Sequence, residues 1–199
     1  MYSKSVFERI QRIPEGEPFK ASLLIGIAPY SSIRKALSTL VKSGYLMRVS
    51  QGVYVRPKIN DYLGAIRPSS RKILELVAKG EMIDITGAEA VQRLGLSTQM
   101  VLKEIFLTSG RTRTIRLENG GRIFLRHVSP RKLVLAGRLA GIALIALWYL
   151  GKNGVTMATI RQIRKRLPPQ EFDALKKEAP SMPAWMREKI LNSGEESLW

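Results

Sequence analysis

The sequence predicts an α+β protein in two parts, and three observations carry that expectation. Residues 30–43 hold one apolar stripe at helical spacing, and two β-prone runs with a glycine between them follow directly. Three more β-prone runs lie between 104 and 127, the last two joined by Asn119-Gly120, a strong hairpin signal. From Ser129 onward the pattern is helical, in pieces cut by Pro168-Pro169, Pro180 and Pro183. Helices and hairpins are therefore grouped rather than alternating as βαβ units, which is the α+β pattern.

The elements follow in order. Ser3 or Ser5 is positioned to cap a first helix carrying Val6, Phe7, Ile10 and Ile13, which Pro14 and Gly16 end. Phe19 to Ile25 is expected as a second short helix, closed by Gly26 and Pro29. The third runs from Tyr30 to Ser43, with Ile33, Ala36, Leu37, Leu40 and Val41 on one face, Ser31 or Ser32 as cap and Gly44 as stop. Tyr45–Val49 and Val53–Val55 read as strands of a tight hairpin turning at Ser50-Gln51-Gly52. Residues 57–70, with two prolines and weak periodicity, read as a connector.

Beyond it, Ser69 or Ser70 opens a helix to Lys79, stopped by Gly80. A short strand over 82–85 and a helix from Ala88 to Leu94 follow. Glu104–Thr108, Thr112–Leu117 and Arg122–His127 are the three β-prone runs. Ser129-Pro130 has the form of a cap and first-turn proline, and predicts a long apolar helix to about Tyr149. Met157, Met182, Trp185 and Met186 are expected as core under the C-terminal helices. The domains expected are residues 1–58, a connector over 59–69, and a mixed α/β part over 70–199.

Composition narrows the function. Among 199 residues, 33 are Lys or Arg and 16 Asp or Glu, for a formal charge of +17 and a pI near 10.5. That imbalance predicts attraction to a polyanion, whether DNA, RNA or an acidic membrane surface. There is no cysteine, which removes disulfides, thiol nucleophiles and thiolate metal sites. A single histidine, His127, rules out a His-rich metal centre, and its setting at a strand end among arginines favours a hydrogen-bonded structural role. Asp84, Glu89 and Glu104 form no metal-gathering motif, and Gly120-Gly121 is a turn with no Gly-Lys-Ser/Thr after it. No catalytic residue, metal or cofactor is expected. The N-terminus carries charges where a signal peptide needs an apolar stretch. The longest apolar run, Leu139–Leu150, falls short of the roughly 20 residues a span requires. A soluble, cytoplasmic protein without a membrane partner is the expectation.

Three helices and a hairpin in the first 58 residues is the order of a winged helix-turn-helix, a DNA-binding arrangement. Between Pro18 and Asn60 there are seven basic residues and no acid. The outer face of the third helix carries Ser31, Ser32, Arg34, Lys35, Ser38 and Lys42: small hydroxyls that admit a groove, and cations that reach phosphates or guanine edges. In the hairpin, Arg48, Ser50, Gln51 and Arg56 are the candidate wing contacts. A second basic surface is expected from Arg111, Arg113, Arg116, Arg122, Arg126, Arg131, Lys132 and Arg138, because residues 105–170 contain thirteen basic residues and one acid, Glu118. Arg161, Arg164, Lys165 and Arg166 form a further cluster that solvent exposure alone would explain.

Ile13-Pro-Glu-Gly-Glu-Pro-Phe19, Ala36-Leu-x-x-Leu-Val-Lys-x-Gly-Tyr45-Leu and Gln51-Gly-Val-Tyr-Val-Arg-Pro57 resemble the AbiEi-like antitoxin family. So do Thr86-Gly-Ala-Glu-Ala90, Arg93-Leu-Gly-Leu-Ser-Thr-Gln99, Phe106-Leu-Thr-x-Gly110, Arg126-His127 and Pro130-Arg-Lys-Leu133. The resemblance runs from about residue 5 to 190. It implies a winged-helix repressor joined to an antitoxin domain, acting in a type IV toxin–antitoxin or abortive-infection operon. The implied partners are double-stranded DNA at promoter inverted repeats and a nucleotidyltransferase-like toxin, neutralised without a stable complex. With no heptad run for a coiled coil, a monomer pairing cooperatively on adjacent repeats is expected. Three other readings stay open: a module that inhibits its partner by direct contact, a stand-alone winged-helix regulator, and an RNA-binding protein, the last opposed by the lack of a paired aromatic platform on a strand.

Overall fold

The computed structural model describes residues 4–100 and 103–194. The chain forms two compact units. The first takes the chain up to Gly80 together with Thr114–Ile123, the second Glu81–Arg113 together with the chain from Phe124. The protein is mixed α+β, with several small sheets.

In the first unit the order is α1 (Lys4–Gln11), β1 (Pro18–Lys20), a 3-10 turn (Ala21–Leu24), α2 (Tyr30–Lys42), β2 (Met47–Ser50) and β3 (Val53–Val55). Then come β4 (Lys58–Asn60), β5 (Gly64–Ile66) and α3 (Ser70–Val77). Strands β1, β3 and β2 form an antiparallel sheet with β3 in the middle. Val6, Ile10, Phe19, Leu24, Ile33, Ala36, Leu37, Leu40 and Leu46 make one buried cluster beneath α1 and α2.

Several local expectations are corrected here. Ser5 lies inside α1 and is not its cap, and Ser3 falls outside the described residues. Phe19–Ile25 is not one helix. Phe19 pairs with Tyr54 across β1 and β3, and the Ala21 N–H donates to the Gly52 carbonyl at 2.9 Å, so long-range pairing overrides helical spacing. Neither Ser31 nor Ser32 caps α2. Pro29, extended at φ −55 and ψ 144, begins the helix, and its carbonyl accepts the Ile33 N–H. The stop is as expected: Gly44 has φ +76, a conformation that favours glycine. The Leu46 N–H then returns to the Leu40 carbonyl, which tucks Leu46 into the core and delays β2 to Met47. Residues 57–70 are more than a connector, because β4 and β5 pair as an antiparallel hairpin. Its turn is set by the Asn60 Oδ1, which accepts from the N–H groups of Tyr62 and Leu63, and by Gly64 at φ +69. Ser69 caps α3 by accepting from the Lys72 N–H.

Residues 114–123 belong to this first unit although they come late in the chain. Leu117 bridges to Ser50, and the Glu118 N–H donates to the Val49 carbonyl at 3.0 Å. These bonds cover the free edge of β2, which would otherwise expose unpaired backbone.

The second unit contains β6 (Ile83–Ile85), α4 (Gly87–Arg93), β7 (Ile105–Thr108), α5 (Leu139–Gly154), α6 (Met157–Arg166), α7 (Pro169–Glu178) and α8 (Ala184–Leu191). Strands β8 (Arg113–Arg116) and β9 (Arg122–His127) each have one end in it. The sheet order is β6-β7-β9-β8, with β6 antiparallel and β9 parallel to β7. The turn between β8 and β9 has Gly120 at φ +83, as the Asn-Gly pair predicts.

The long helix does not start at Ser129. Pro130–Lys132 is only a 3-10 turn, and Ser129 makes no side-chain cap. Gly137 has φ +83 with its N–H held by the Asp84 carboxylate, so α5 begins at Leu139. It has a kink at Gly151, φ +68. Its apolar residues Ala140, Ala143, Leu144, Ile145, Ala146 and Leu147 are buried, with α4, α7 and α8 packed against the helix. The ends of this helix are served by its neighbours. The Glu171 carboxylate accepts the Ala140 N–H at the N-terminus, and the Lys189 ammonium donates to the Val155 carbonyl at the C-terminus. Both charges have the sign the helix dipole favours. Met182 and Met186 are buried, with Trp185 packed against the same cluster. Among the described residues no helix is long and apolar enough to cross a membrane.

Candidate nucleic-acid interface

The stripe that buries Ile33, Ala36, Leu37 and Leu40 forces the other face of α2 outward. Ser31, Arg34, Lys35, Ser38 and Lys42 are exposed there, with Thr39, and Ser32 is half-buried. Among the described residues no carboxylate pairs with Arg34, Lys35 or Lys42. The N-cap position of α2 is Pro29, which makes no side-chain cap bond to the first N–H groups.

The hairpin residues divide. Gln51 is exposed at the β2–β3 turn beside Gly52, φ +72. Arg48 is exposed and its Nε lies 3.1 Å from Glu118 Oε1. Ser50 is buried, at 4% exposure, in the bridge to Leu117. Arg56 turns inward: its Nη1 donates to the carbonyls of Gln11 and Ile13, its Nη2 meets Glu15, and its guanidinium lies 5.5 Å from the Tyr45 ring centroid. It ties the end of α1 to β3 and has little left to offer a ligand.

The second basic set is divided between the two units. Arg116 and Arg122 lie in the first unit with Glu118, while Arg111, Arg126, Arg131, Lys132 and Arg138 lie in the second. Arg113 grips Glu81 with two bonds, Nη2 to Oε1 at 2.8 Å and Nη1 to Oε2 at 3.0 Å. Thr108, fully buried, adds its hydroxyl to the same carboxylate at 2.5 Å. Chiefly through the Arg113 hydrogen bonds, the Glu81 carboxyl is held below its ordinary range, against the opposing effect of desolvation. Arg138 is likewise bonded to Glu171, and this, with the Ala140 N–H, holds that carboxyl low. Arg131 and Lys132 sit over Trp148, 5.4 and 4.7 Å from the ring centroid. Arg111, Arg116, Arg122 and Arg126 are exposed. On β9, Arg122, Phe124 and Arg126 share a face, with Ile123 and Leu125 buried on the other.

His127 is hydrogen-bonded, its Nδ1 2.8 Å from the Gly110 carbonyl and its N–H donating to Thr112. In the 161–166 cluster, Arg164 donates to the Ser193 carbonyl and faces Phe172, so it braces the C-terminal helices. Among the described residues no group of three or more His, Cys, Asp or Glu could hold a metal ion.

A family model matches residues 5–175. The chain belongs to DUF6088, a family of unknown function. No curated protein matches this DUF6088 chain, and no solved structure matches it. Two features of the DUF6088 chain escape sequence reasoning. One is the β4–β5 hairpin, whose Ile59, Tyr62 and Leu63 are 70%, 95% and 79% exposed. The other is a cleft in the second unit beside Trp148 and Tyr149, residues that the apolar run 139–150 marks only as core. The sequence signal for it is the Trp148-Tyr149 pair near the end of that run.

Proposed function

We propose that this protein is a DNA-binding antitoxin and transcriptional autorepressor of a type IV toxin–antitoxin operon, with the first unit a winged helix-turn-helix module. The observation that carries the DNA-binding half is the outer face of α2, where Arg34, Lys35 and Lys42 stand exposed with no carboxylate partner among the described residues. The order α1, β1, 3-10 turn, α2, β2, β3, with β1-β3-β2 as one sheet, supports the winged-helix reading. The second helix of that motif is reduced to the 3-10 turn Ala21–Leu24.

The mechanism is occupancy. Helix α2 enters the major groove, with Ser31 and Ser38 allowing close approach and Arg34 and Lys35 reading base edges. The N-terminus of α2 and Lys42 meet phosphates, and Gln51 reaches the flanking backbone. Arg116 and Arg122 add phosphate contacts. Polymerase is excluded from the promoter, and monomers pair on adjacent inverted repeats. The antitoxin half, neutralising a nucleotidyltransferase-like toxin in the cytoplasm without catalysis of its own, rests on the AbiEi-like motifs described above.

The test is retention of the chain on its own upstream DNA at about 150 mM salt, with excess unrelated duplex present. Selective retention is expected. If six to ten phosphates are neutralised, affinity falls about 10³- to 10⁵-fold between roughly 50 and 200 mM salt. Rescue of growth against the neighbouring toxin then tests the antitoxin half. Equal, salt-labile binding to both duplexes would leave only generic polyanion attraction.

A further inference from the structure

The second unit holds a cleft of about 660 Å³, inside the range of small-molecule sites. Parallel pairing of β7 and β9 builds one wall: Leu107 is the register partner of Arg126, so both project to the same side, with Ile105 two residues earlier on that side. Helix α5 supplies the facing wall with Ile145, Trp148 and Tyr149. The start of α4 closes one end, where Gly87 lies so near the Tyr149 Cβ that a methyl group there would sit 2.4 Å from it.

The chemistry of this lining is lopsided. Ile105, Leu107, Val128, Ile145, Trp148 and Tyr149 give it an apolar body. Its charged members are Lys103, Arg126 and Lys132, and no carboxylate lines it. None of the three cations has an ion-pair partner among the described residues. Lys132 is held over the Trp148 ring at 4.7 Å, which fixes a cation against an aromatic wall. The Trp148 indole N–H is buried with no acceptor among the described residues, a cost that well-packed cores avoid. Water alone satisfies the cations, but it leaves the apolar wall wet. A neutral apolar ligand covers the wall and desolvates three unpaired cations. An inorganic anion pairs the cations and leaves the wall uncovered.

We infer that this cleft is a binding site for an amphipathic organic anion: a compact apolar body, aromatic or aliphatic, bearing a carboxylate, sulfonate or phosphate. The anionic group lies among Lys103, Arg126 and Lys132, and the body lies along Ile105, Leu107 and Tyr149. This site is separate from α2 and does not depend on the DNA-binding reading.

The experiment uses the full chain and two fluorescent probes that differ in charge, 8-anilinonaphthalene-1-sulfonate and its neutral counterpart N-phenyl-1-naphthylamine. The expected result is saturable binding of the sulfonate at one site, at least tenfold tighter than the neutral probe, with energy transfer from tryptophan. The double variant Arg126→Ala/Lys132→Ala should bring the sulfonate down to the level of the neutral probe and leave the neutral probe unchanged, which also reports that the cleft is intact. Tyr149→Ala keeps the Cβ that packs on Gly87 and should weaken both probes. Equal affinity for the two probes in the unaltered chain overturns the inference. So does displacement of the sulfonate probe by inorganic sulfate at comparable concentration, since that would make the site a cation patch only. Unchanged sulfonate binding in the double variant overturns it as well.

Discussion

Arg48 in β2 and Glu118 in the β8–β9 turn are joined by an ion pair of 3.1 Å, both side chains more than two-fifths exposed. Glu118 is the only acid between residues 105 and 170. The backbone bond from the Glu118 N–H to the Val49 carbonyl places it there independently of its charge. An exposed pair of this kind adds little stability, about 0–1 kcal/mol. Its larger effect is to occupy a cation of the β2–β3 hairpin. Glu118→Gln should therefore leave thermal unfolding almost unchanged and tighten duplex binding, with a salt dependence steeper by about 0.9 for one added phosphate contact. A salt titration of both proteins checks this.

Arg113 and Arg48 are both basic and both paired, yet they should behave oppositely. The Arg113–Glu81 pair is bidentate, and shares its carboxylate with the buried Thr108 hydroxyl. Removing Arg113 leaves a partly buried carboxylate short of donors, so Arg113→Ala should cost about 1–3 kcal/mol in denaturant unfolding. Its effect on duplex affinity should be smaller than that of Arg122→Ala, because Arg122 is exposed and has no carboxylate partner among the described residues.

Acid should destabilise the second unit through two carboxylates. Glu81 and Glu171 are both held below the ordinary value of 4.5, the first mainly by Arg113 and the second mainly by Arg138. A depressed carboxyl contributes stability that is complete above its unfolded value and is lost as pH falls through the lower folded value. Unfolding followed from pH 7 to 2 should therefore show a loss of stability beginning below about 4.5. In Glu81→Gln/Glu171→Gln that part of the loss should be absent, with lower stability already at pH 7.

Gly141 sits against the backbone of the segment before α5. A Cβ at this position would lie 2.1 Å from the Leu135 carbonyl oxygen, a backbone atom with no freedom to move aside. Gly141→Ala should destabilise by about 1–3 kcal/mol through overpacking, despite alanine's better helix propensity. Gly26→Ala meets nothing within 4 Å, so its cost comes from φ +89 alone. Differential scanning calorimetry of the two variants separates clash from backbone strain.

Legibility in the sequence followed burial. The α2 stripe, the Gly44 stop, the β9 run and the Asn119-Gly120 turn were readable because each is periodic, or needs a residue with φ above zero. The β4–β5 hairpin was not, because its residues Lys58, Ile59 and Gly64–Ile66 are exposed and leave no inside–outside alternation. Phe19–Ile25 misled because helical spacing over seven residues is also compatible with a strand followed by a turn, and pairing to β3 decided between them. The start of α5 depended on Asp84 holding the Gly137 N–H from 53 residues away. In the site, the outward face of α2 was legible from its stripe. The inward use of Arg56 and the burial of Ser50 were not, since both depend on partners distant in sequence.

The most direct test of the central claim is the Arg34→Ala/Lys35→Ala variant, compared with the unaltered chain on its upstream duplex and on an unrelated one at about 150 mM salt. Both residues are exposed and have no carboxylate partner among the described residues, so the variant should unfold at nearly the same temperature. The unaltered chain should prefer the upstream duplex, and the variant should bind the two duplexes equally. A variant that keeps the full preference would contradict the assignment of α2 as the reading helix.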